Sequence, residues 1–371
     1  MSLPAVVVTG ADGFIGRNLM LKMAAAGGVD IRPVVRTSSA AEIAVALSGA
    51  DFVIHLAGVN RPLDVAEFAE GNHHATEALI AAIEAGGRAI PIAFASTSRA
   101  AEGTPYGRSK KAAEDALLDY AGRTGAAVHL FRLTNVFGKW ARPNYNSAVA
   151  TFCHNIARGL PISVNDPAAP LLLVYIDDVV DALVDLVACR PGGSGFREVD
   201  PVYATTVGEV AGLIQRFHGD RKEGLIEGVG VGLTRALYAT YVSSLPPADF
   251  SYPVVAHTDA RGSFVEMLKT RTSGQFSYFT AHPGVTRGGH YHHTKTEKFL
   301  VLCGDALFRF RHMVSGETVE LRTTGVEPVV VETIPGWTHD ITNSGADALV
   351  VMLWANEIFD RAKPDTITEK V

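Results

Sequence analysis

The sequence predicts an α/β protein of two domains, a doubly wound parallel sheet followed by an all-β domain of the jelly-roll type. From Leu3 to about Ala188, short β-branched runs alternate with alanine-rich helical segments, as in a parallel sheet with helices on both faces. After Leu245–Pro253, which has three prolines in nine residues, strand-like runs are separated by Gly, Asn and Asp turns. We therefore place the domains at residues 1–247 and 248–371.

The individual elements follow from local composition. The predicted strands of the first domain are Ala5–Val8, Ile31–Val35, Phe52–Leu56, Ile90–Phe94 and Val128–Leu133. The predicted helices between them include Asn18–Ala26, Thr76–Ala85 and Lys110–Tyr120. The predicted strands of the second domain are Gln275–Ala281, Lys298–Leu302, Ala306–Arg311, Pro328–Glu332 and Ala348–Trp354.

Charge and composition exclude several classes of protein. A net charge of −6 gives no overall attraction to nucleic acid or to an anionic membrane, so any bound phosphate must be held by a local site. Cys153, Cys189 and Cys303 are scattered and odd in number, which favours reduced thiols over a disulfide framework. No signal core and no membrane-length apolar run is present. We expect a cytoplasmic protein with no membrane or nucleic-acid partner.

A glycine-rich turn, Val8–Gly16 (VTGADGFIG), lies directly after the first strand and before a predicted helix. Such glycines let the backbone bend and approach a pyrophosphate, and the helix start supplies a positive dipole end. A flexible turn would give the same triplet, but its place at the first βα crossing favours a dinucleotide site of the Rossmann type. The candidate cofactor-binding residues are Gly10, Asp12, Gly13, Phe14, Ile15, Gly16, Arg17, Arg36, Leu56 and Ala57.

The end of the second predicted strand bears on the choice of cofactor. The strand ends in Arg36, where an acidic residue would bond the ribose 2′-hydroxyl of NAD. An arginine suits the 2′-phosphate of NADP, and Arg17 would add a second positive contact. Two exposed arginines without a ligand are the alternative. We expect NADPH.

The segment Tyr106–Lys110 (YGRSK) carries candidate residues for hydride-transfer chemistry. At a spacing of four near a helix start, Tyr106 and Lys110 lie on one face. A nearby ammonium is expected to lower the phenol pKa, so that the tyrosine exchanges a proton with a carbonyl oxygen. Thr97, with Ser96 next, would offer a hydroxyl to the same oxygen. Alone, this tyrosine–lysine pair is common on helix surfaces; the glycine turn and the hydroxyl cluster give it weight.

The motifs of the first domain resemble the extended short-chain dehydrogenase/reductases, and in particular their sugar-nucleotide branch. In chain order they are TGADGFIG, FVIHLAG (Phe52–Gly58), Asn72, STS (Ser96–Ser98), YGRSK, FRLTNVFG (Phe131–Gly138) and YIDDV (Tyr175–Val179). The resemblance, over roughly residues 3–245, implies that Asn72 helps seat the catalytic helix and that Asn135 lies near the substrate diphosphate. The expected substrate region, Lys139–Pro170, is rich in Asn, Pro and Arg but contains no recognisable motif.

Four residues of the second domain form a candidate metal set: His290, His292, Glu297 and His339. Residues two apart on a strand face the same side, so His290 and His292 can point into a barrel together. Three nitrogens and one oxygen suit zinc or another divalent first-row metal. The spacings resemble the two cupin motifs. His293 should point to the other face; histidines that bind no metal are the alternative.

Two further fragments, Asp259–Glu266 and Arg287–His290, resemble deoxysugar 3,5-epimerases and ketoisomerases. That resemblance makes His290 a base that removes a proton beside a ketone. Because His290 also occupies a metal-ligand position, the identity of the base stays open, with Tyr291, Lys295 and Glu266 as minor candidates.

The whole chain resembles bifunctional enzymes that make UDP-2-acetamido-2,6-dideoxy-L-talose for capsule or O-antigen. The resemblance implies that the cupin epimerises carbon 3 of a UDP-4-keto sugar before the first domain reduces carbon 4 with NADPH. Two alternatives stay open: a ketosugar reductase with a structural, dimerising cupin, and a regulatory NADP-binding module in the first domain. Because cupin barrels often pair edge strands, we expect a homodimer, mainly through residues 250–371.

Overall fold

The computed structural model describes residues 3–62, 64–226, 228–362 and 364–371. The chain divides into two compact units. The first contains the residues up to Ile214 together with Gly232–Leu245, and the second contains Gln215–Val231 and Pro246–Val371. No helix among these described residues is long and apolar enough to cross a membrane.

The first unit contains nine strands in its described residues and most of the helices. Its strands are β1 (Ala5–Thr9), β2 (Asp30–Val34), β3 (Phe52–His55), β4 (Ile92–Thr97), β5 (Val128–Leu133), β6 (Asn135–Phe137), β7 (Pro170–Tyr175), β8 (Gly195–Arg197) and β9 (Val202–Thr206). The α-helices of the described chain are α1 (Phe14–Ala26), α2 (Ala40–Leu47), α3 (Ala66–Phe68), α4 (Ala75–Ala85), α5 (Pro105–Thr124), α6 (Ala148–Ala157), α7 (Ile176–Cys189), α8 (Val207–Lys222) and α9 (Gly232–Val242). A π-helical turn, Ala69–His74, joins α3 to α4.

The main sheet of the first unit is parallel, with the order β2-β1-β3-β4-β5-β8. A smaller sheet has the order β6-β7-β9. The central strands are buried over their whole length, as the continuous apolar runs predict. Successive connections leave β1 toward β2 on one side and return to β3 on the other. The carboxyl ends of β1 and β3 therefore form the switch point where open α/β sheets bind ligands.

The second unit is built from antiparallel strands. They are β10 (Ala256–Asp259), β11 (Gly262–Thr270), β12 (Gly274–Ala281), β13 (Thr286–Tyr291), β14 (Glu297–Cys303), β15 (Asp305–His312), β16 (Thr318–Thr324), β17 (Val330–Glu332), β18 (Trp337–Asn343), β19 (Leu349–Ala355) and β20 (Ile367–Thr368). They form two sheets, β10-β11-β12-β19-β14-β17 and β16-β15-β18-β13-β20. Phe279, Phe299, Phe308 and Leu349 belong to their common core. The predicted fold class, including the jelly-roll character of this unit, is confirmed.

Several elements differ in extent from the sequence prediction. Helix α1 begins at Phe14, four residues early, because Gly13 already adopts an N-cap conformation. Helix α5 begins at Pro105, since Thr104 caps it and proline suits the first helical position. Strand β17 begins at Val330, two residues later than predicted. Pro328 lacks the N–H that a ladder requires.

Candidate active site and candidate metal centre

The glycine turn forms a close-packed cradle at the carboxyl end of β1. Gly10 has a φ of 67°, and a Cβ atom on it would lie 2.8 Å from the Ala57 nitrogen. A Cβ on Gly16 would lie 2.2 Å from the Gly10 oxygen. Gly13 is the N-cap of α1 and no side chain caps this helix, so no capping side chain competes for its first N–H groups. A pyrophosphate fits these residues, because the glycines leave no side chain between it and the backbone N–H groups.

The remaining candidate cofactor residues surround this cradle. Asp12 and Arg17 are exposed on the turn and in the first turn of α1, while Phe14 and Ile15 are half-buried. Exposed Arg36 lies two residues after β2. Because β2 runs parallel to β1, Arg36 lies at the same edge of the sheet as the cradle. Leu56 and Ala57 follow β3 at that edge, and Ala57 donates its N–H to the Thr9 hydroxyl at 3.2 Å.

The structure places the Thr97 hydroxyl near enough to the Tyr106 phenol to lower the pKa of that phenol. Thr97 is the last residue of β4, and Tyr106 lies in the first turn of α5. Ser96 makes a different contact: its hydroxyl donates to the buried carboxylate of Glu114 at 2.6 Å. Alternation along β4 separates the two hydroxyls, and it places Thr97 rather than Ser96 beside the phenol.

The expected lowering of the Tyr106 pKa is wrong. Burial of the phenol raises its pKa, and the smaller opposing effects come from the nearby Thr97 hydroxyl and from Arg99. The ammonium of Lys110 instead donates to the Ala95 carbonyl at 2.9 Å and lies 4.4 Å from the centre of the Phe94 ring. Burial lowers the pKa of Lys110 to about 8, against the opposing charge of Glu114.

Asn72 lies in the π-helical turn and is buried. Its Oδ1 accepts the Val59 N–H at 2.9 Å, and its Nδ2 donates to the Val59 carbonyl at 2.8 Å and to Ser109 Oγ at 3.0 Å. Ser109 in turn donates to the Tyr106 carbonyl. Asn72 thus contacts both the turn after β3 and the first turn of α5, as its predicted seating role requires. That role stays a prediction.

The predicted substrate region lines a cavity of about 710 Å³ in the first unit. Asn144, Asn146, Ser147 and Asn165 contribute polar side chains to it, and Arg61 lies on its wall. Sequence reasoning missed these residues individually; the density of Asn and Ser in Lys139–Pro170 was the available signal. Asn135 is exposed and donates to the Leu172 carbonyl at 3.0 Å. Its predicted place near a diphosphate stays a prediction.

The four predicted metal ligands of the second unit come together. Their ligand atoms all lie within 4.8 Å of one another. His290 on β13 is the register partner of His339 on β18, and their ring centres are 4.8 Å apart. Glu297 Oε2 lies 3.2 Å from His292 Nε2 and 3.6 Å from His339 Nε2. The exposed His293 is not in the cluster.

The protonation states of this cluster suit a cation. Burial lowers the pKa of His290 to about 4, so the imidazole is neutral. Burial raises the pKa of Glu297, but the hydrogen bond with His292, the nearby His339 imidazole and the charge of Lys295 outweigh it, leaving a carboxylate. Within the described chain, both ring nitrogens of buried His339 lack a hydrogen-bond partner. The neutral His290 imidazole, the Glu297 carboxylate and the unpaired ring nitrogens of His339 are donors that a divalent metal takes.

Asp365 holds the segment that carries two of these ligands. Its carbonyl contacts His292 Nδ1, and its carboxylate accepts the N–H groups of His293, Thr294 and Lys295. A backbone carbonyl on the second nitrogen fixes the orientation of an imidazole. Sequence reasoning missed Asp365, since a single acidic residue about 70 positions away gives no pattern.

The candidate bases lie in different surroundings. The Lys295 ammonium is buried and lies 2.9 Å from Glu297 Oε1, so it belongs to the cluster. The Tyr291 ring contacts His293 at 5.4 Å between centres. Glu266 lies 3.8 Å from the Lys269 ammonium.

Comparison with known families gives two matches along the chain. The model described as the NAD dependent epimerase/dehydratase family matches residues 6–191. The model described as the polysaccharide biosynthesis C-terminal domain matches residues 257–367.

Individual relatives cover nearly the whole chain. The UDP-2-acetamido-2,6-β-L-arabino-hexul-4-ose reductase of Pseudomonas aeruginosa is 54% identical over 361 residues, which are 97% of each protein. The crystal structure of the capsular polysaccharide assembling protein CapF from Staphylococcus aureus matches with a TM-score of 0.93 at 39% identity, covering 99% of this chain and 100% of that one. A Thermus thermophilus UDP-glucose 4-epimerase, in complex with NAD, shares the fold over 64% of this chain and 98% of its own (TM-score 0.54, 20% identity).

Proposed function

The chain belongs to the NAD dependent epimerase/dehydratase family and, within it, to the family of the UDP-2-acetamido-2,6-β-L-arabino-hexul-4-ose reductases; from this premise we propose that it is a bifunctional nucleotide-sugar enzyme. The second unit epimerises carbon 3 of a UDP-4-keto-6-deoxy-HexNAc. The first unit then reduces the carbon 4 ketone with NADPH to give UDP-2-acetamido-2,6-dideoxy-L-talose.

One observation carries the reductase part of the proposal. Tyr106 and the nearby Thr97 lie in the unit whose glycine cradle suits a dinucleotide, with Lys110 on the same helix face as the phenol. A neutral phenol is a proton donor, and burial keeps Tyr106 in that form at neutral pH.

The residues of the first unit have distinct tasks in the reduction. NADPH, when bound, supplies hydride to the carbonyl carbon. Tyr106 donates its phenol proton to the carbonyl oxygen, which becomes the hydroxyl of the product. The nearby Thr97 hydroxyl stabilises the phenolate that is left, and the buried ammonium of Lys110 adds an electrostatic contribution. Asn72, through Ser109, keeps the first turn of α5 in place.

Chemistry fixes the order of the two reactions. A hydrogen on the carbon beside a ketone is acidic because the resulting anion spreads onto the ketone oxygen. Reduction to an alcohol removes that acidity, so epimerisation precedes reduction. His290, His292, Glu297 and His339 would hold a divalent metal, preferably zinc, which supplies either Lewis-acid stabilisation of the enolate or rigidity of the barrel.

The 54% identical relative is named as a reductase alone, which favours a second candidate function. In that case the second unit is a structural module, and the protein is a ketosugar reductase without epimerase activity.

Incubation with a UDP-4-keto-6-deoxy-HexNAc and NADPH in deuterated water distinguishes these functions. The bifunctional enzyme gives a reduced product with deuterium at carbon 3. Reduction without deuterium identifies a reductase alone, and the alanine variants of His290 and His339 then leave the product stereochemistry unchanged. A Tyr106→Phe variant with unaltered NADPH oxidation would instead support a regulatory first unit.

We also propose a homodimer formed mainly through residues 250–371. The edge strand β10 is exposed along its length, and the neighbouring Val255 and Met267 are exposed apolar side chains. Pairing such edges between subunits protects them. Light scattering after gel filtration measures the mass, and a monomer at working concentration would contradict this assignment.

A further inference from the structure

The buried imidazole of His55, the last residue of β3, lies between two parts of the candidate active site. Its Nδ1 lies 2.7 Å from the Thr9 hydroxyl and its Nε2 lies 3.0 Å from the Thr76 hydroxyl. Thr9, His55 and Thr76 are at most 5% exposed. Water therefore does not compete for these bonds, and each donor and acceptor must find its partner within the protein.

The positions of the hydrogens in this series of hydrogen bonds, from Thr9 through His55 to Thr76, follow by elimination. The Thr76 hydroxyl has one hydrogen, and it goes to the Asn72 carbonyl at 2.7 Å, because a carbonyl only accepts. The Thr76 oxygen must then accept from His55, so the hydrogen of the neutral ring is on Nε2. Nδ1 is consequently bare and accepts the hydrogen of Thr9.

The two ends of this hydrogen-bond network contact one short turn, Ala57–Val59. At one end, the Thr9 oxygen accepts the Ala57 N–H at 3.2 Å. At the other, Asn72 accepts the Val59 N–H and donates to the Val59 carbonyl. Between them, a Cβ on Gly58 would lie 3.2 Å from the Lys110 ammonium. The position of this turn and that of Lys110 are therefore coupled.

We infer that His55 is a positioning residue, held as the neutral Nε2–H tautomer, which joins the cofactor side of the Ala57–Val59 turn to Asn72 and α5. The neutral state agrees with its neighbours. The ring stacks on Phe94, whose centre also lies 4.4 Å from the Lys110 ammonium, and a second cation there would be repelled. Burial and then the charge of Lys110 lower the pKa of His55 to about 3.

This inference rests on the proposed reductase for its effect on turnover, but its structural content can be tested without turnover. In Thr76→Val the imidazole loses its acceptor while the shape of the side chain is kept. We expect faster hydrogen exchange at the Val59 amide and a kcat reduced by about tenfold to a hundredfold, as for a slightly misplaced catalytic group. His55→Phe keeps the ring stack and should give the same two changes.

Thr240→Val is the matched control. Thr240 is 2% exposed and its hydroxyl bonds the carbonyl four residues earlier at 2.7 Å, as Thr76 does, but no bond to a histidine is found among the described residues. It should leave Val59 exchange and kcat within about twofold. Equal effects of Thr76→Val and Thr240→Val on both readouts would overturn the inference.

Nitrogen-15 spectra of the histidines of the wild-type protein give an independent readout. We expect His55 to show a bare Nδ1 and a protonated Nε2, unchanged between about pH 5 and 8, where an ordinary histidine titrates. A protonated Nδ1, or titration within that range, would contradict the tautomer. If the protein failed to reduce the sugar, these spectra and the Val59 exchange rate would still decide the role of His55.

Discussion

The two candidate sites differ in how many of their polar side chains have hydrogen-bond partners within the protein. In the first unit, His55, Asn72 and Ser96 have hydrogen-bond partners within the protein itself. In the second unit, both nitrogens of His339 lack a hydrogen-bond partner among the described residues, although the three other candidate metal ligands surround it. The first site is organised by its own network, whereas the second would be completed by the cation that we propose for it. Stability of the second unit should therefore depend on its ligand, and that of the first should not.

The largest expected effect separates the two activities. Tyr106→Phe removes the proton donor and should lower kcat for reduction by about 10²- to 10⁴-fold, the usual contribution of general acid catalysis. Exchange of the carbon 3 hydrogen with deuterated water should continue, because it needs only the second unit. Mass spectrometry of the sugar and NADPH absorbance measure the two.

Tyr252→Phe, at a tyrosine that is 46% exposed in the second unit, is the control and should reduce normally. Loss of exchange in Tyr106→Phe would show that the sites do not act separately.

The dependence of the second unit on a metal is the next largest effect. With free Zn²⁺ at about 100 times its Kd, binding should add about 2.7 kcal/mol to the free energy of unfolding, and EDTA should remove it. Calorimetry with and without EDTA measures the change. His339→Ala should abolish the response, while His257→Ala, an exposed histidine of the same unit, should keep it. An unfolding temperature insensitive to EDTA in the wild-type protein argues against a bound metal.

The choice of cofactor depends on Arg36. If its guanidinium bonds the 2′-phosphate of NADPH, Arg36→Ala should weaken NADPH by about 1.5–3 kcal/mol, or roughly tenfold to a hundredfold, and leave NADH unchanged. The ratio of kcat/KM values for the two cofactors measures this. Arg88→Ala, an exposed arginine that precedes β4 at the opposite edge, should not alter the ratio. An unchanged ratio in both variants means that Arg36 does not select the cofactor.

The smallest effect is a shift in pH dependence. The ammonium of Lys110 is the active form and its pKa is about 8, so kcat should fall as pH rises through about 8. Glu114 raises that pKa. Glu114→Gln should therefore move the fall to lower pH, while Glu84→Gln, at an exposed pair with Arg123, should not. A fall at the same pH in all three proteins would assign it to another group.

Sequence patterns predicted the features that depend on residues close together in the sequence. A short spacing places two side chains on a common face, as in the Tyr106–Lys110 pair and in His290 with His292. In the glycine turn, it leaves a stretch of backbone without side chains. Strand alternation likewise implied that His293 points away from the cluster, and it is exposed.

Features that depend on distant packing could not be predicted. Ser96 bonds Glu114 and not the Tyr106 phenol, because of the direction in which its side chain leaves β4. The pKa of Tyr106 depends on burial, which the helix spacing does not report. The hydrogen-bond chain through His55 joins Thr9 to Thr76 across β3, and none of these residues is unusual in its local sequence.

The contact between His292 and Asp365 has a consequence for the order of folding. The two residues are 73 positions apart, and closing so long a loop costs conformational entropy before the contact can form. The orientation of His292 should accordingly be fixed late, after the sheets have assembled. In a newly synthesised chain, His292 would therefore not yet have its final orientation. Metal binding would then be the last step in the folding of the second unit.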